Sequence, residues 1–157
     1  MKRRIEEVKK IVIKVGSSSL CDKDGKINKE KILMLTWQLA KLKREGYIVV
    51  LVSSGAIAAG MGALGLDSKP KTLPEKQALA AIGQARLMEI YEEIFQVFNM
   101  KCSQILLNHD DFDDRHRLMN LNHTINALLN YGVVPIINEN DALAVDEIKV
   151  GDNDTLA

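Results

Sequence analysis

Four short segments that are wholly or partly apolar recur along the chain, and longer segments with helical periodicity or polar character separate them. The runs are 11–15 (IVIKV), 47–52 (YIVVLV), 101–107 (KCSQILL) and 133–137 (VVPII). Short runs of this kind, rich in β-branched residues, are typical of strands in a parallel sheet, and the first run is predicted to be buried on both faces. Pro135 within the last run indicates either an edge strand or a pairing that spares one donor.

The segments between the runs carry apolar residues at helical spacing. They predict helices at about 29–45, 75–98 and 110–130, with a shorter glycine-rich helix after residue 55. Gly83 indicates either a close helix crossing or a tolerated glycine. Because strands and helices alternate with short connections, the sequence predicts an α/β three-layer sandwich with a mainly parallel sheet.

The chemistry-bearing residues of this sequence cluster where the predicted strands end. In parallel sheets, ligands bind beyond the carboxyl ends of the strands. The first strand leads into Gly16 and small hydroxyl residues, and the second leads into residues 53–56 (SSGA), so both turns suit an anion. The fourth leads into residues 138–141 (NEND), which offer amides and carboxylates. Lys14 either points into this crevice or reaches water from the strand end.

Composition narrows the classes of partner. Lys+Arg and Asp+Glu both number 21, so the net charge of zero gives no support to a nucleic-acid or anionic-membrane partner. No apolar stretch approaches the ~20 residues of a membrane helix, and the amino terminus lacks the apolar core of a signal peptide. Two cysteines without CxxC spacing indicate a reducing compartment, so a cytoplasmic location is expected.

Several common catalytic signatures are missing from the chain. Neither the P-loop pattern nor a G-x-G-x-x-G turn is present, and the 53–56 turn lacks the first glycine of a nucleophile elbow. The three histidines recur every seven residues, ~10 Å apart along a helix axis, so no metal site is assigned. Phosphoryl transfer outside the P-loop class stays open, because it mainly requires positioned cations and hydrogen-bond donors.

Several segments together resemble the amino acid kinase family. They are 12–18 (VIKVGSS), 52–60 (VSSGAIAAG), 76–84 (KQALAAIGQ), 136–141 (IINEND) and 149–154 (KVGDND). The resemblance is closest to members that phosphorylate the γ-carboxylate of L-glutamate in proline biosynthesis. It implies ATP and Mg²⁺ as cofactors, L-glutamate as acceptor, proline as a feedback inhibitor and a homo-oligomer.

The resemblance also implies roles for individual residues. Lys14 would stabilise the transferred phosphoryl group, and Asp154 would orient the Lys14 ammonium. The residues implied to bind glutamate are Ser54, Gly55, Asp141 and Asn153, and those implied to bind phosphate are Lys14, Gly16 and Ser17. No metal ligand is implied within the chain.

The family pattern is longer than this chain. Residues 1–157 are therefore expected to form the amino-terminal, amino-acid-substrate part of the kinase domain, with the fold incomplete at its carboxyl-terminal end and the nucleotide-binding half absent. Such a piece alone is expected to be inactive. The alternatives are a sister kinase acting on acetylglutamate, aspartate, carbamate or a nucleoside monophosphate, or a non-catalytic amino-acid-binding fragment.

Overall fold

The four predicted strands form one parallel sheet. The computed structural model describes residues 8–143, so the predicted ribbon at 145–150 and the site residues Asn153 and Asp154 lie outside the described residues. The strands are β1 (Lys10–Lys14), β2 (Ile48–Val52), β3 (Cys102–Leu107) and β4 (Val134–Glu139). Their order across the sheet is β1-β2-β4-β3, and every pairing is parallel. All four carboxyl ends therefore lie at one edge.

Six helices connect or follow these strands within the described residues. They are α1 (Ser17–Leu20), α2 (Lys29–Arg44), α3 (Ala56–Leu64), α4 (Leu73–Val97), α5 (Asp110–Asp113) and α6 (Arg115–Asn130). The sequence predicted α2, α3 and α4 closely but missed the single turn of α1. The helix predicted at 110–130 is interrupted at Asp114, because this carboxylate caps α6 by accepting the backbone N–H groups of His116 and Arg117.

Helices cover both faces of the sheet, which confirms the predicted layered α/β architecture. Side chains alternate between the faces of a strand. Val49 and Leu51 of β2 accordingly enter the larger core, together with side chains of α2, α3 and α4. Val50 and Val52 face the other way and meet a smaller apolar cluster that includes side chains of α6. The larger core lies between the sheet and the α2–α4 layer.

β1 differs from the prediction that it is buried on both faces. It is an edge strand that pairs with β2 alone among the described residues. Ile13 packs against the larger core, but Val12 on the opposite face is 49% exposed. The prediction was wrong because α6 packs against β4, away from β1 in the strand order, and so leaves that face of β1 uncovered by the described residues.

β4 lies inside the sheet even though Pro135 belongs to it. Val134 donates its backbone N–H to the carbonyl of Lys101, beside β3, so the nitrogen of Pro135 points towards β2. The pairing of β2 with β4 begins one residue later, at Leu51 opposite Ile136. The proline therefore removes no hydrogen bond from the observed ladders. The interpretation of Pro135 as part of a pairing that spares one donor is confirmed, and the interpretation of β4 as an edge strand is wrong.

α3 and α4 cross at backbone contact distance, as Gly83 indicated. A Cβ atom on Gly83 would lie 1.6 Å from the carbonyl oxygen of Ala56, and one on Gly60 would lie 2.1 Å from that of Leu79. Both distances are far inside van der Waals contact. Glycine at these two positions is therefore required for the helices to pack as they do.

We expect Gly83→Ala to destabilise the fold by about 3 kcal/mol or more, since the added methyl group must push two backbones apart. The matched control is Gly62→Ala, a helical glycine of α3, where a Cβ atom would meet nothing within 4 Å. That variant should be neutral or more stable by up to ~1 kcal/mol. Urea unfolding of both variants measures the difference, and equal midpoints would contradict the steric requirement at Gly83.

Candidate active site

The carboxyl edge of the sheet brings together the predicted site segments that the structure describes. Lys14 lies opposite Val52, and Val52 lies opposite Ile137. The turns that follow β1, β2 and β4 are therefore neighbours, with about 4.8 Å between adjacent strands. Lys14, Ser54 and Asp141 belong to these three adjacent strand ends.

The turn after β1 combines an ammonium group with exposed hydroxyls. Lys14, the last residue of β1, is exposed. Its Nζ lies 3.8 Å from the position that a Cβ atom on Gly16 would occupy. Gly16 has an extended backbone, and that distance is an ordinary van der Waals contact, so the described residues impose no steric requirement for glycine here. Ser17 and Ser18 follow with exposed side chains.

Lys31 of α2 supports this turn, and no local pattern in the sequence predicts that role. Its Nζ donates to the carbonyl oxygens of Cys21 and of Ser18, the latter at 3.5 Å. Ser18 lies within α1, and Cys21 is the residue that ends this helix. Lys31 therefore holds the segment that follows Gly16. Sequence periodicity does not reveal this contact, because Lys31 is 13 residues from Ser18 and 10 residues from Cys21.

The turn after β2 is tightly enclosed. Gly55 has a φ of +100°, which favours glycine, and it precedes α3 as the N-cap residue. A Cβ atom there would also come within 3.0 Å of Ile27 Cδ1. Ser53 is fully buried, and its Oγ lies 2.8 Å from the hydroxyl of Tyr91 in α4. Sequence reasoning missed Tyr91, which reads as an ordinary core residue of an amphipathic helix.

The end of β4 is held by amide side chains. Asn138 is buried, and its Oδ1 accepts the backbone N–H of Glu139 at 2.9 Å, while its Nδ2 has no hydrogen-bond partner within residues 8–143. Gln84 of α4 donates to the carbonyl of Glu139 at 3.5 Å and accepts from Gln104 of β3 at 3.1 Å. These contacts fix the strand end from which the partly buried Asp141 follows.

The turn after β3 is organised by Asp111. Its carboxylate accepts the backbone N–H of Asn108 at 2.7 Å and a hydrogen bond from Arg117 at 2.9 Å. The Asn108 N–H, helped by the Arg117 guanidinium, holds the pKa of Asp111 below its usual range. The acidic run at 110–114 thus serves turns and caps, as its position before a helix predicted.

The two cysteines are both free thiols. Burial raises the pKa of Cys21, and burial together with the nearby Glu92 raises the pKa of Cys102 to about 11. Both side chains therefore stay protonated at neutral pH and behave as small apolar groups.

Neither a metal-binding cluster nor a membrane-spanning helix occurs in the part of the chain that the structure describes. Within residues 8–143, no group of three or more His, Cys, Asp or Glu side chains is arranged to hold a metal ion. None of the helices in that range is both long enough and apolar enough to cross a membrane.

Comparison with known proteins gives a family match over nearly the whole chain. The model of the amino acid kinase family matches residues 9–157. A glutamate 5-kinase from Thermoanaerobacter sp. (strain X514) is 57% identical over 148 residues, covering 94% of this chain and 40% of the relative. A glutamate 5-kinase from Clostridium tetani is 54% identical over 156 residues, covering 99% of this chain and 58% of the relative. The chain thus spans about two fifths to three fifths of the length of these relatives.

Solved structures with the same fold are more distant in sequence. The UMP kinase from Ureaplasma parvum superposes with a TM-score of 0.52 at 18% identity, covering 83% of this chain and 56% of that one. Giardia carbamate kinase superposes with a TM-score of 0.54 at 14% identity, covering 88% of this chain and 63% of the carbamate kinase chain. At such identities the likeness concerns the fold alone.

The ionised Asp111 is expected to stabilise the protein in a pH-dependent way. Because folding lowers its pKa, the stabilisation is complete above the ordinary value of 3.8 and is lost as the pH falls through the lower folded-state value. The melting temperature of Asp111→Asn should therefore be lower than that of the wild type at pH 7. The difference between the two melting temperatures should become smaller below pH 4.

The control for this comparison is Asp110→Asn, which changes an exposed carboxylate one residue earlier. Thermal melts of the three proteins between pH 7 and pH 2.5 measure the effect. If the difference in melting temperature between the wild type and Asp111→Asn stays constant across that range, the charge of Asp111 does not stabilise the fold.

Proposed function

This chain belongs to the amino acid kinase family, and we propose that it is the amino-acid-binding part of a kinase that phosphorylates the γ-carboxylate of L-glutamate, the first step of proline biosynthesis. The observation that carries the proposal is the shared carboxyl edge, where the turns bearing Lys14, Ser54 and Asp141 are neighbours. The high identity to proteins named glutamate 5-kinase supports the choice of acceptor.

We propose that residues 1–157 carry the acceptor side of the site, and that the nucleotide is gripped mainly by the remainder of a longer protein. The share of the relatives' length that this chain covers supports this division. ATP would supply the phosphoryl group, and Mg²⁺ would neutralise the charge of the nucleotide phosphates. The exposed Lys14 ammonium, followed by the turn at Gly16 and the exposed hydroxyl residues Ser17 and Ser18, suits such a phosphate.

In this proposal the residues of the chain act by position and charge. Lys14 stabilises the negative charge on the transferred group, and the turn at Gly16 and Ser17 adds hydrogen-bond donors. Ser54 and Gly55 hold a carboxylate of glutamate. Asp141 faces the α-ammonium group, because an ammonium ion needs an anionic or amide partner when water is excluded.

The two site residues outside the described range complete the proposal. Asn153 would join Asp141 around the amino-acid substrate, and Asp154 would orient the ammonium of Lys14. Cytoplasmic location is also proposed, with support from the two free cysteines. The homo-oligomer and the inhibition by proline stay predictions.

Other acceptors define the alternative functions. A sister kinase would phosphorylate acetylglutamate, aspartate, carbamate or a nucleoside monophosphate, and an amino-acid-binding fragment would bind glutamate without turnover. Measuring ADP release by the full-length protein with each acceptor separates these functions. If the proposal holds, glutamate should be the only one of these acceptors that supports ADP release.

The first test within that assay is Lys14→Ala in the full-length protein. We expect kcat to fall by ~10²–10³-fold, because the variant loses a cation that stabilises the transition state. The fold should tolerate the change, since Lys14 is exposed. Lys10→Ala, at the opposite end of the same strand, is the matched control and should leave turnover near normal. Near-normal turnover in Lys14→Ala would remove this lysine from the mechanism.

The second test concerns recognition of glutamate by Asp141. Asp141→Ala should raise the KM for glutamate strongly, at a cost of about 2–5 kcal/mol, because the bound ammonium group loses its counter-charge. The KM for ATP should change much less, which serves as the internal control. If both KM values match the wild type, Asp141 is structural and the choice of acceptor is open again.

A further inference from the structure

Two buried hydroxyl groups lie directly behind the proposed substrate turn. Ser53 and Tyr91 are both fully buried, and their oxygens are 2.8 Å apart. The Ser53 Oγ also lies 3.1 Å from the carbonyl oxygen of Ser54. A chain of hydrogen bonds therefore runs from α4 to the backbone of the residue proposed to bind glutamate.

The direction of the protons in this chain follows from what each group can do. A carbonyl oxygen only accepts, so the single proton of the Ser53 hydroxyl is donated to Ser54. The Tyr91 hydroxyl must then donate to Ser53 Oγ. Burial raises the pKa of Tyr91 well above its ordinary value, so the phenol keeps the proton that it donates.

Fixing the carbonyl of Ser54 also fixes the N–H of Gly55. The two groups belong to one planar trans peptide and point in opposite directions. Because the Ser54 carbonyl is turned towards the buried hydroxyls, the N–H of Gly55 points away from them. Gly55 can hold this geometry because its φ of +100° is accessible to glycine.

The support behind the two hydroxyls is rigid. Ser53 donates its own N–H to the carbonyl of Ile137, which anchors it in the sheet at 2.8 Å. The Tyr91 ring packs edge-on against Phe95, with ring centroids 6.1 Å apart. The close crossing at Gly83 fixes α4 relative to the start of α3. The hydrogen-bond chain therefore connects the turn to elements that cannot easily shift.

We propose that Tyr91 is a positioning residue for the acceptor: through Ser53 it locks the Ser54–Gly55 peptide so that the Gly55 N–H donates to a carboxylate of the bound amino acid. This inference rests on the proposed function, because it needs a carboxylate substrate at the turn. A peptide N–H that is already oriented binds an anion without the cost of ordering it. Tyr91 itself does not touch the substrate.

The test uses the full-length protein and compares Tyr91→Phe, Ser53→Ala and the double variant with the wild type. Tyr91→Phe keeps the ring packing and removes only the hydroxyl. We expect each single variant to raise the KM for glutamate about 5- to 20-fold, the scale of weakening one hydrogen bond to a charged group. The KM for ATP should stay within about twofold. The double variant should resemble the single ones, because all three break the same chain.

Thr36→Val is the matched control for a general loss of stability. Thr36 is a fully buried residue of α2 whose hydroxyl donates to the carbonyl of Ile32 at 2.8 Å. Its replacement removes a buried hydroxyl hydrogen bond of the same kind, away from the turn. It should lower the melting temperature and leave the KM for glutamate unchanged.

Three results would overturn the inference. If Tyr91→Phe has the same KM for glutamate as the wild type, the positioning role is excluded. The role is also excluded if Thr36→Val raises the KM for glutamate as much as Tyr91→Phe does. Additive effects in the double variant would show that Tyr91 and Ser53 act separately. In each case normal wild-type turnover leaves the proposed function standing. Failure of the wild type to release ADP with glutamate would instead overturn the proposed function, and this inference with it.

Discussion

The close crossing of α3 and α4 is the contact on which the geometry of the candidate site depends. Gly83 and Gly60 let the two backbones meet where any larger side chain would collide with a carbonyl oxygen. α3 begins immediately after the turn at Gly55, so the crossing sets where that turn lies. The packing of two helices thus determines the position of a backbone turn at the edge of the sheet.

From this fixed position, α4 supports two of the strand ends with polar contacts. Tyr91 reaches the end of β2 through Ser53, and Gln84 reaches the end of β4 at the carbonyl of Glu139. Buried polar groups are costly unless paired, so both contacts restrict the backbone to one arrangement. The turns that follow β2 and β4 are therefore held by the core. Lys14, by contrast, lies exposed on the edge strand β1.

Much of the candidate site could be read from local sequence. The strand ends bearing Lys14, Ser54 and Asp141 were predicted because apolar runs followed by small or polar residues mark where parallel strands end. The order of those strands was not predictable in the same way. β1 proved to be an edge strand with an exposed face, and β4 proved to be interior although Pro135 belongs to it. Strand order depends on which helices cover which face, and no single run of residues contains that information.

The sequence by itself determined the four strands, the three longer helices α2, α3 and α4, the family resemblance and the sheet edge at which the candidate site residues lie, because periodicity, caps and short motifs act over a few neighbouring residues. The tertiary structure alone decided how that edge is supported. Ser53 and Tyr91 are separated by 38 positions, and Gly83 meets Ala56 from a different helix. Each of these residues has an ordinary local context, and its role arises only when folding brings distant segments within hydrogen-bond or contact distance.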